Sequence, residues 1–338
     1  MSRIIRFGAG ALAELADVAG ELGLERLLLV TTQRGAASAG DLPVAGVYDG
    51  VRPHVPVETV RDATARVIEL DADGLVGLGG GSAIDTCKAV TADLLPEREL
   101  RTIAVPTTYA GAEWTPYYGM LLAPGRKGGG GDERAKPVAA IYDPELTLGL
   151  PVPETVGTAM NALAHCAEAY YAAGHTERGD RHADTGAAAI DYALPLVAER
   201  PDWIYARTRL LEGAFRAALA LEGAGLALGH AMAQALGGRY GLPQGAMNAL
   251  CLPAALRFNE PAVPEAVARF GRALHTDDPA ARVEELARLG GFERLRDFGV
   301  PEAELGEVAE QVVRRTGAKA NPRQASPGDV EELLRSIW

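Results

Sequence analysis

The chain has 338 residues, of which 48% are apolar and 23% charged, with 45 acidic against 33 basic side chains and a net charge of −12. At roughly 150 residues per domain this length predicts two domains. The composition excludes a disordered chain, which would be poorer in apolar residues, and a bundle of membrane spans, which would show long uncharged runs. The acidic balance, with no block of Lys or Arg, argues against a nucleic-acid partner and leaves room for a small anionic substrate.

Over residues 1–150, short apolar runs alternate with helical stretches, the pattern of βαβ crossovers and a doubly wound α/β domain. Strands are expected at Leu27 to Thr31, Ala45 to Tyr48, Gly74 to Leu78, Thr102 to Val105 and Val138 to Tyr142. Ala11 to Leu22 and Val57 to Leu70 carry apolar residues at helical spacing, and Ala83 to Leu94 continues as a helix from a glycine turn. Gly128 to Gly131, flanked by Arg126, Lys127, Arg134 and Lys136, reads as a flexible hairpin tip or, alternatively, as a mobile basic flap over an anion. Two prolines around Leu148 to Pro153 mark the boundary. Residues 151–338 then form Ala- and Leu-rich segments with charges at helical intervals, an all-helical domain. Near the end Ser326, Pro327 and Asp329 supply an N-cap, a first helical proline and an acid for a short last helix.

Cys87, Cys166 and Cys251 are too few and too dispersed for a disulfide framework or a metal knuckle. Met1 to Phe7 lack the successive basic, apolar and small-residue sections of a leader. A cytoplasmic protein with no membrane partner is expected.

Chemistry concentrates at the ends of predicted strands and on three helices. Gly79, Gly80, Gly81 and Ser82 leave one strand and open a helix that carries Asp85. Glycines there admit close backbone approach, and a helix N-terminus favours phosphate, although a tight turn alone would use the same residues. Thr107 and Thr108 leave the next strand at the same carboxyl edge, where ligands of open α/β sheets bind. In the helical half Asn161 and His165 lie one turn apart, His230 and Gln234 repeat that spacing, and Gln244 follows Gly241-Leu242-Pro243. Two imidazoles and three amides suit a polar pocket better than a metal, because divalent zinc or iron wants imidazole, thiolate or ionised carboxylate.

In order along the chain, the glycine turn with Asp85, Pro106-Thr107-Thr108-Tyr109-Ala110-Gly111, Ile141 to Thr147, Met160 to His165, His230 to Gln244 and Asn321-Pro322-Arg323 resemble iron-containing alcohol dehydrogenases, most closely the maleylacetate reductase branch. The resemblance implies an α/β dinucleotide-binding domain, an all-α catalytic domain and a cleft where nicotinamide meets a carbonyl or alcohol. It also implies that metal-dependent relatives place one Asp and three His where this chain has Asn161, His165, His230 and Gln244, and a further pocket histidine where it has Gln234. Thr32 stands where NAD-specific relatives carry an acid for the ribose, and with Arg34 nearby both NADH and NADPH are expected.

The resulting expectation is an NAD(P)H-dependent, metal-independent reductase of a small carbonyl or enone, of the maleylacetate type, acting as a homodimer. His230 would donate the proton, and His165, Asn161, Gln234 and Gln244 would position the substrate. Arg239, Arg323 and Lys127 are candidate cations for a dianion. A metal-dependent alcohol dehydrogenase and a redox-inactive dinucleotide-binding pseudoenzyme are the alternatives.

Overall fold

Side chains of each central strand in the first half alternate between two apolar layers, as the two-residue period of a strand requires. Leu27, Leu29, Val76, Leu78, Ile103 and Val105 pack with Leu15, Val18 and Leu22 on one face. Leu28, Val30 and Leu75 pack with Val60, Ala63, Val67, Ala83, Cys87 and Val90 on the other. The computed structural model describes residues 3–95, 97–123 and 126–338. Two compact units emerge, Met1–Gly149 and Leu150–Trp338.

The first unit runs β1 (Ile4–Phe7), α1 (Leu15–Leu22), β2 (Leu27–Val30), α2 (Gln33–Ser38), β3 (Gly46–Tyr48), α3 (Val57–Leu70), β4 (Gly74–Gly79), α4 (Gly81–Leu94), β5 (Arg101–Pro106), β6 (Tyr117–Ala123), β7 (Arg126–Gly131) and β8 (Ala139–Tyr142). Six strands form one sheet in the order β1-β8-β5-β4-β2-β3, with every pair parallel. From β2 the chain moves outward to β3, then returns across β2 to β4 and proceeds the other way. The order therefore reverses between β2 and β4, and in open α/β sheets ligands bind at such a switch point, outside the carboxyl ends of the strands.

The sequence reading did not include the strands β1, β6 and β7 or the short helix α2, and two of its details differ. The stretch Ala11 to Leu22 opens as a 3-10 turn, Ala11–Glu14, before α1 begins. Gly128 to Gly131 is not a hairpin tip but paired strand, in register with Met120 back to Tyr117. The reason is aromatic cover: a Cβ at Gly130 would lie 2.5 Å from the Tyr118 hydroxyl, and one at Gly131 equally close to the Tyr117 ring. The two rings occupy the space that side chains would need. The side chains of Arg126 and Lys127 lie outside the described residues.

The second unit is helical throughout its described length: α5 (Val152–Ala169), α6 (Glu177–Glu199), α7 (Ile204–Leu221), α8 (Leu228–Tyr240), α9 (Gln244–Asn259), α10 (Pro264–Ala273), α11 (Pro279–Arg288), α12 (Leu305–Val312), α13 (Thr316–Lys319) and α14 (Pro327–Ser336). The last helix starts with a reciprocal capping box between Ser326 and Asp329 and has Pro327 in its first turn. Among the described residues no helix is long and apolar enough to cross a membrane.

Three helices matter most. The start of α5 is pinned by the wholly buried Arg207 of α7, which donates to the Thr155 hydroxyl at 2.8 Å and the Leu150 carbonyl at 2.9 Å. Near that start α5 meets α9, where a Cβ on Gly245 would fall 2.2 Å from the Gly157 carbonyl oxygen. Only glycine permits this approach, which sets Asn161 one turn on from Gly157 against the first turns of α9. Gly245→Ala is therefore expected to cost about 1–3 kcal/mol through overpacking. A urea midpoint equal to that of the unmodified chain would show that the crossing does not need the glycine.

Candidate active site

In the first unit the switch point gathers three turns. Gly79 ends β4 with φ 151°, Gly80 caps α4 from an extended conformation, and Gly81 and Ser82 begin the helix. The turn after β5 lies alongside: the Thr107 amide donates to the Gly79 carbonyl at 3.0 Å, and a Cβ on Gly80 would lie 3.0 Å from the Thr108 γ-methyl. At the adjacent end of β2 the Thr31 hydroxyl donates to the Leu78 carbonyl at 2.7 Å, while Thr32 caps α2 by accepting from the Gly35 amide at 3.1 Å. An open pocket of about 600 Å³ beside Thr32 is lined by Arg34, Tyr48, Asp49, Arg52 and Asp62.

Asp85 faces another task in this structure. Its carboxylate pairs with the buried Lys88 ammonium at 2.7 Å and accepts from the Gly119 amide at 3.1 Å, tying α4 to the β6–β7 hairpin. Lys88 also donates to the carbonyls of Ala112, at 2.9 Å, and Tyr117. Glu113, which the sequence reading passed over, is buried in the same turn and accepts from the Tyr142 hydroxyl at 2.7 Å, while Trp114 Nε1 donates to that hydroxyl at 2.6 Å. Burial pushes the Glu113 carboxyl above its ordinary range.

In the second unit α5, α8 and α9 assemble a buried polar cluster. Asn161 and His165 face each other across one turn of α5, with Asn161 Nδ2 3.3 Å from His165 Nε2. The His165 and His230 rings stack with centroids 4.8 Å apart and planes only 8° from parallel. Asn248 of α9 donates its amide to Asn161 Oδ1. Glu168, one turn beyond His165, is completely buried, and its carboxylate sits 2.7 Å from His230 Nδ1. Gln234 lies half-buried one turn after His230, and Gln244 opens α9 one turn before Asn248.

Several polar atoms around this cluster are buried without a hydrogen-bonding partner among the described residues: His165 Nδ1, His230 Nε2, Gln244 Nε2 and Asn248 Oδ1. Orphaned buried polar atoms are costly, and several in one region mark a place that a ligand or ordered water completes. Burial first, and the nearby His230 second, hold His165 well below the ordinary imidazole range. Glu168 and Asn248 were absent from the sequence reading. The signal for each was a polar residue at helical spacing from one already chosen, Glu168 three residues after His165 and Asn248 four after Gln244.

Two expected cations are otherwise engaged. Arg239 is bound by the carboxylates of Glu304 and Glu307, the first also accepting from the Tyr240 hydroxyl at 3.0 Å, so its charge is already neutralised. Arg323 donates to the Phe258 carbonyl at 2.9 Å and stacks 3.9 Å over the Phe258 ring.

Comparison with known proteins fits this architecture. Residues 2–144 match the family described as iron-containing alcohol dehydrogenase, and residues 155–338 match the Fe-containing alcohol dehydrogenase family, C-terminal. The maleylacetate reductase of Sphingobium indicum is 36% identical over 97% of this chain and 93% of its own length. The solved maleylacetate reductase of Agrobacterium tumefaciens superposes with a TM-score of 0.90 at 32% identity, covering 100% of this chain and 97% of that one. The sulfoacetaldehyde reductase of Bifidobacterium kashiwanohense, solved in complex with NAD+, gives 0.91 at 26% identity over 99% and 97%. The chain belongs to the iron-containing alcohol dehydrogenase family and is an oxidoreductase.

The suppressed basicity of His165 has a consequence for stability. Below about pH 6.5 the unfolded chain takes up a proton at this residue that the folded chain resists, so stability falls as pH drops from there. His165→Gln removes the titrating group and should flatten the decline in Tm between pH 7 and pH 5. Parallel Tm curves for the two proteins would show that His165 protonates as readily folded as unfolded.

Proposed function

We propose that the chain is an NAD(P)H-dependent, metal-independent reductase of a small carbonyl or conjugated enone, of the maleylacetate class, working as a homodimer in the cytoplasm. The observation that carries the reading is His230, whose Nδ1 is held by a buried carboxylate while its Nε2 is buried and unpartnered. That is the arrangement of an imidazole kept to pass a proton at one nitrogen.

The residues fit a dinucleotide. The turn Gly79 to Ser82 presents backbone amides at the N-terminus of α4, at the switch point of a parallel sheet, where a pyrophosphate is favoured by the helix dipole. Thr107 and Thr108 border the same turn. The Thr32 hydroxyl and the guanidiniums of Arg34 and Arg52 can meet a 2′-phosphate, while the carboxylates of Asp49 and Asp62 in the same pocket can meet ribose hydroxyls, which supports use of both cofactors. A reduced dinucleotide held there would supply the hydride for the substrate carbon.

The residues do not fit a divalent cation. Each imidazole lone pair lies in its ring plane, and two rings stacked 8° from parallel send those lone pairs side by side rather than toward one point. Asn161 Oδ1 is taken by Asn248, and no three of His, Cys, Asp or Glu among the described residues group as a metal site. Neutral amides would in any case do little to balance a dication.

The chain's own side chains then account for the rest of the reaction. His230, protonated on both nitrogens, gives the Nε2 proton to the oxygen where alkoxide or enolate charge develops, and it is left neutral with its remaining proton on Nδ1. His165, neutral and stacked on it, offers orienting hydrogen bonds with no second positive charge. Asn161 and Asn248, locked to each other, and Gln244 can hold the substrate oxygens in place, and Gln234 borders them on α8.

A panel of carbonyl and enone compounds, with NADH or NADPH and with or without a chelator, tests this directly. Turnover with maleylacetate or a related keto acid that is unchanged by chelation is expected. Stoichiometric iron or zinc lost together with activity would establish the metal-dependent alternative, and no turnover with any compound would leave a binding protein. His230→Ala should lower kcat by about 10²- to 10⁴-fold with cofactor affinity unchanged, and His165→Ala should cost less. The reverse ranking would exchange the two roles.

A further inference from the structure

We propose that Glu168 is the positioning residue for His230: its buried carboxylate dictates which nitrogen of the imidazole carries the fixed proton and which way the ring faces. The inference rests on the reading of His230 as proton donor and adds the element that makes a flexible histidine into a directed one.

Glu168 stands on α5, three residues beyond His165, with no exposed surface. One carboxylate oxygen accepts from the Ala227 amide at 2.6 Å and faces His230 Nδ1 at 2.7 Å. The other accepts from the His230 amide at 3.1 Å. The same carboxylate thus caps the first turn of α8 and grips the side chain of a residue in that turn. An ionised carboxylate offers only acceptors, so the His230 nitrogen facing it carries a proton. The neutral ring is then the Nδ1–H form, and Nε2 is the one nitrogen free to exchange a proton with a substrate, in agreement with its unpartnered state.

The surroundings are built for this pairing. A Cβ on Gly229 would lie 2.9 Å from the nearer Glu168 oxygen, so the residue beside His230 must be glycine for the carboxylate to enter. The adjacent Leu228 amide goes instead to Asn321 Oδ1 at 3.3 Å, and Asn321 is fixed by a reciprocal amide pair with Asn259. The N-terminal donors of α8 are therefore distributed between two buried side chains, and the helix start cannot shift without breaking both. The positive end of the helix favours the anion that His230 requires.

Glu168→Gln keeps size and one acceptor while removing the charge, and the carboxamide nitrogen can donate to Nδ1 and invert the tautomer. The variant is expected to fold, to bind cofactor with unchanged Kd, and to lose about 10- to 100-fold in kcat, the scale on which metal-binding histidines suffer when their outer hydrogen-bond partner is lost. Combined with His230→Ala it should cost nothing beyond His230→Ala alone, because both changes remove the same function. Nitrogen-15 NMR of the histidine rings reads the tautomer without reference to activity: unmodified protein should show neutral His230 protonated on Nδ1, and the variant should show Nε2–H gained. Full kcat in the variant, further loss in the double variant, or an Nε2–H tautomer in the unmodified protein would each overturn the proposal. The last measurement decides even where the variant does not fold. An active His230→Ala protein with Nδ1–H in the unmodified chain would instead overturn the proton-donor reading and leave the Glu168 pairing standing.

Discussion

A carboxylate removed entirely from water must be met by donors on every side, and Glu168 is met by two backbone amides and an imidazole drawn from one turn of α8. Leaving such a charge unmatched costs several kcal/mol, so α5 and α8 have one relative placement that the chain tolerates. The rest of the helical site follows. With His230 tethered through Nδ1, its ring lies flat against His165, one turn back on α5. With the start of α5 fixed by Arg207 and its crossing with α9 fixed by Gly157 and Gly245, the Asn161 amide meets Asn248. Three helices that are apolar over most of their buried faces are thus placed in register by a few polar contacts with exacting geometry.

The first unit solves a similar problem with a cation. Lys88 is fully buried in α4, and its ammonium is matched by Asp85 on the same helix and by two carbonyls, one from the turn after β5 and one from the start of the hairpin. That contact holds the turn bearing Thr107 and Thr108 beside the glycine turn. The parallel sheet decides where the crevice opens, since strand order reverses between β2 and β4. The buried ion pair then fixes the walls. Asp85 therefore supports the glycine turn from behind, through the hairpin and Lys88.

Most of this architecture was legible in the sequence because it depends on local pattern. The central strands are continuous apolar runs ended by Gly, Thr or Pro, Val57–Leu70 is helical over the predicted span, and the capping box at Ser326 uses three neighbouring residues. The Asn161, His165 and His230 constellation was legible for the same reason, through spacing. What escaped depends on partners far along the chain. Glu168 sits in a run of small and apolar residues and looks like an exposed break in it until Ala227 and His230, about sixty positions on, are placed against it. Arg239 looks like an available cation until Glu304 and Glu307 close on it. The glycine run became strand because the tyrosines that cover it lie on the opposing strand, where no local propensity could reveal them.

The charge balance of the helical cluster connects these observations to chemistry. Its carboxylate, Glu168, is committed as an acceptor to α8 and His230, and burial and the neighbouring His230 hold His165 well below the ordinary imidazole range. The imidazole nitrogens that remain buried without a partner among the described residues are His165 Nδ1 and His230 Nε2. An aspartate at position 161 would add a second carboxylate to the cluster, against His165. The asparagine there accepts from Asn248 and reaches His165 without adding a charge. Amides at these positions thus lower the negative charge that the cluster can set against a cation, while the buried carboxylate beside it keeps the helices in place.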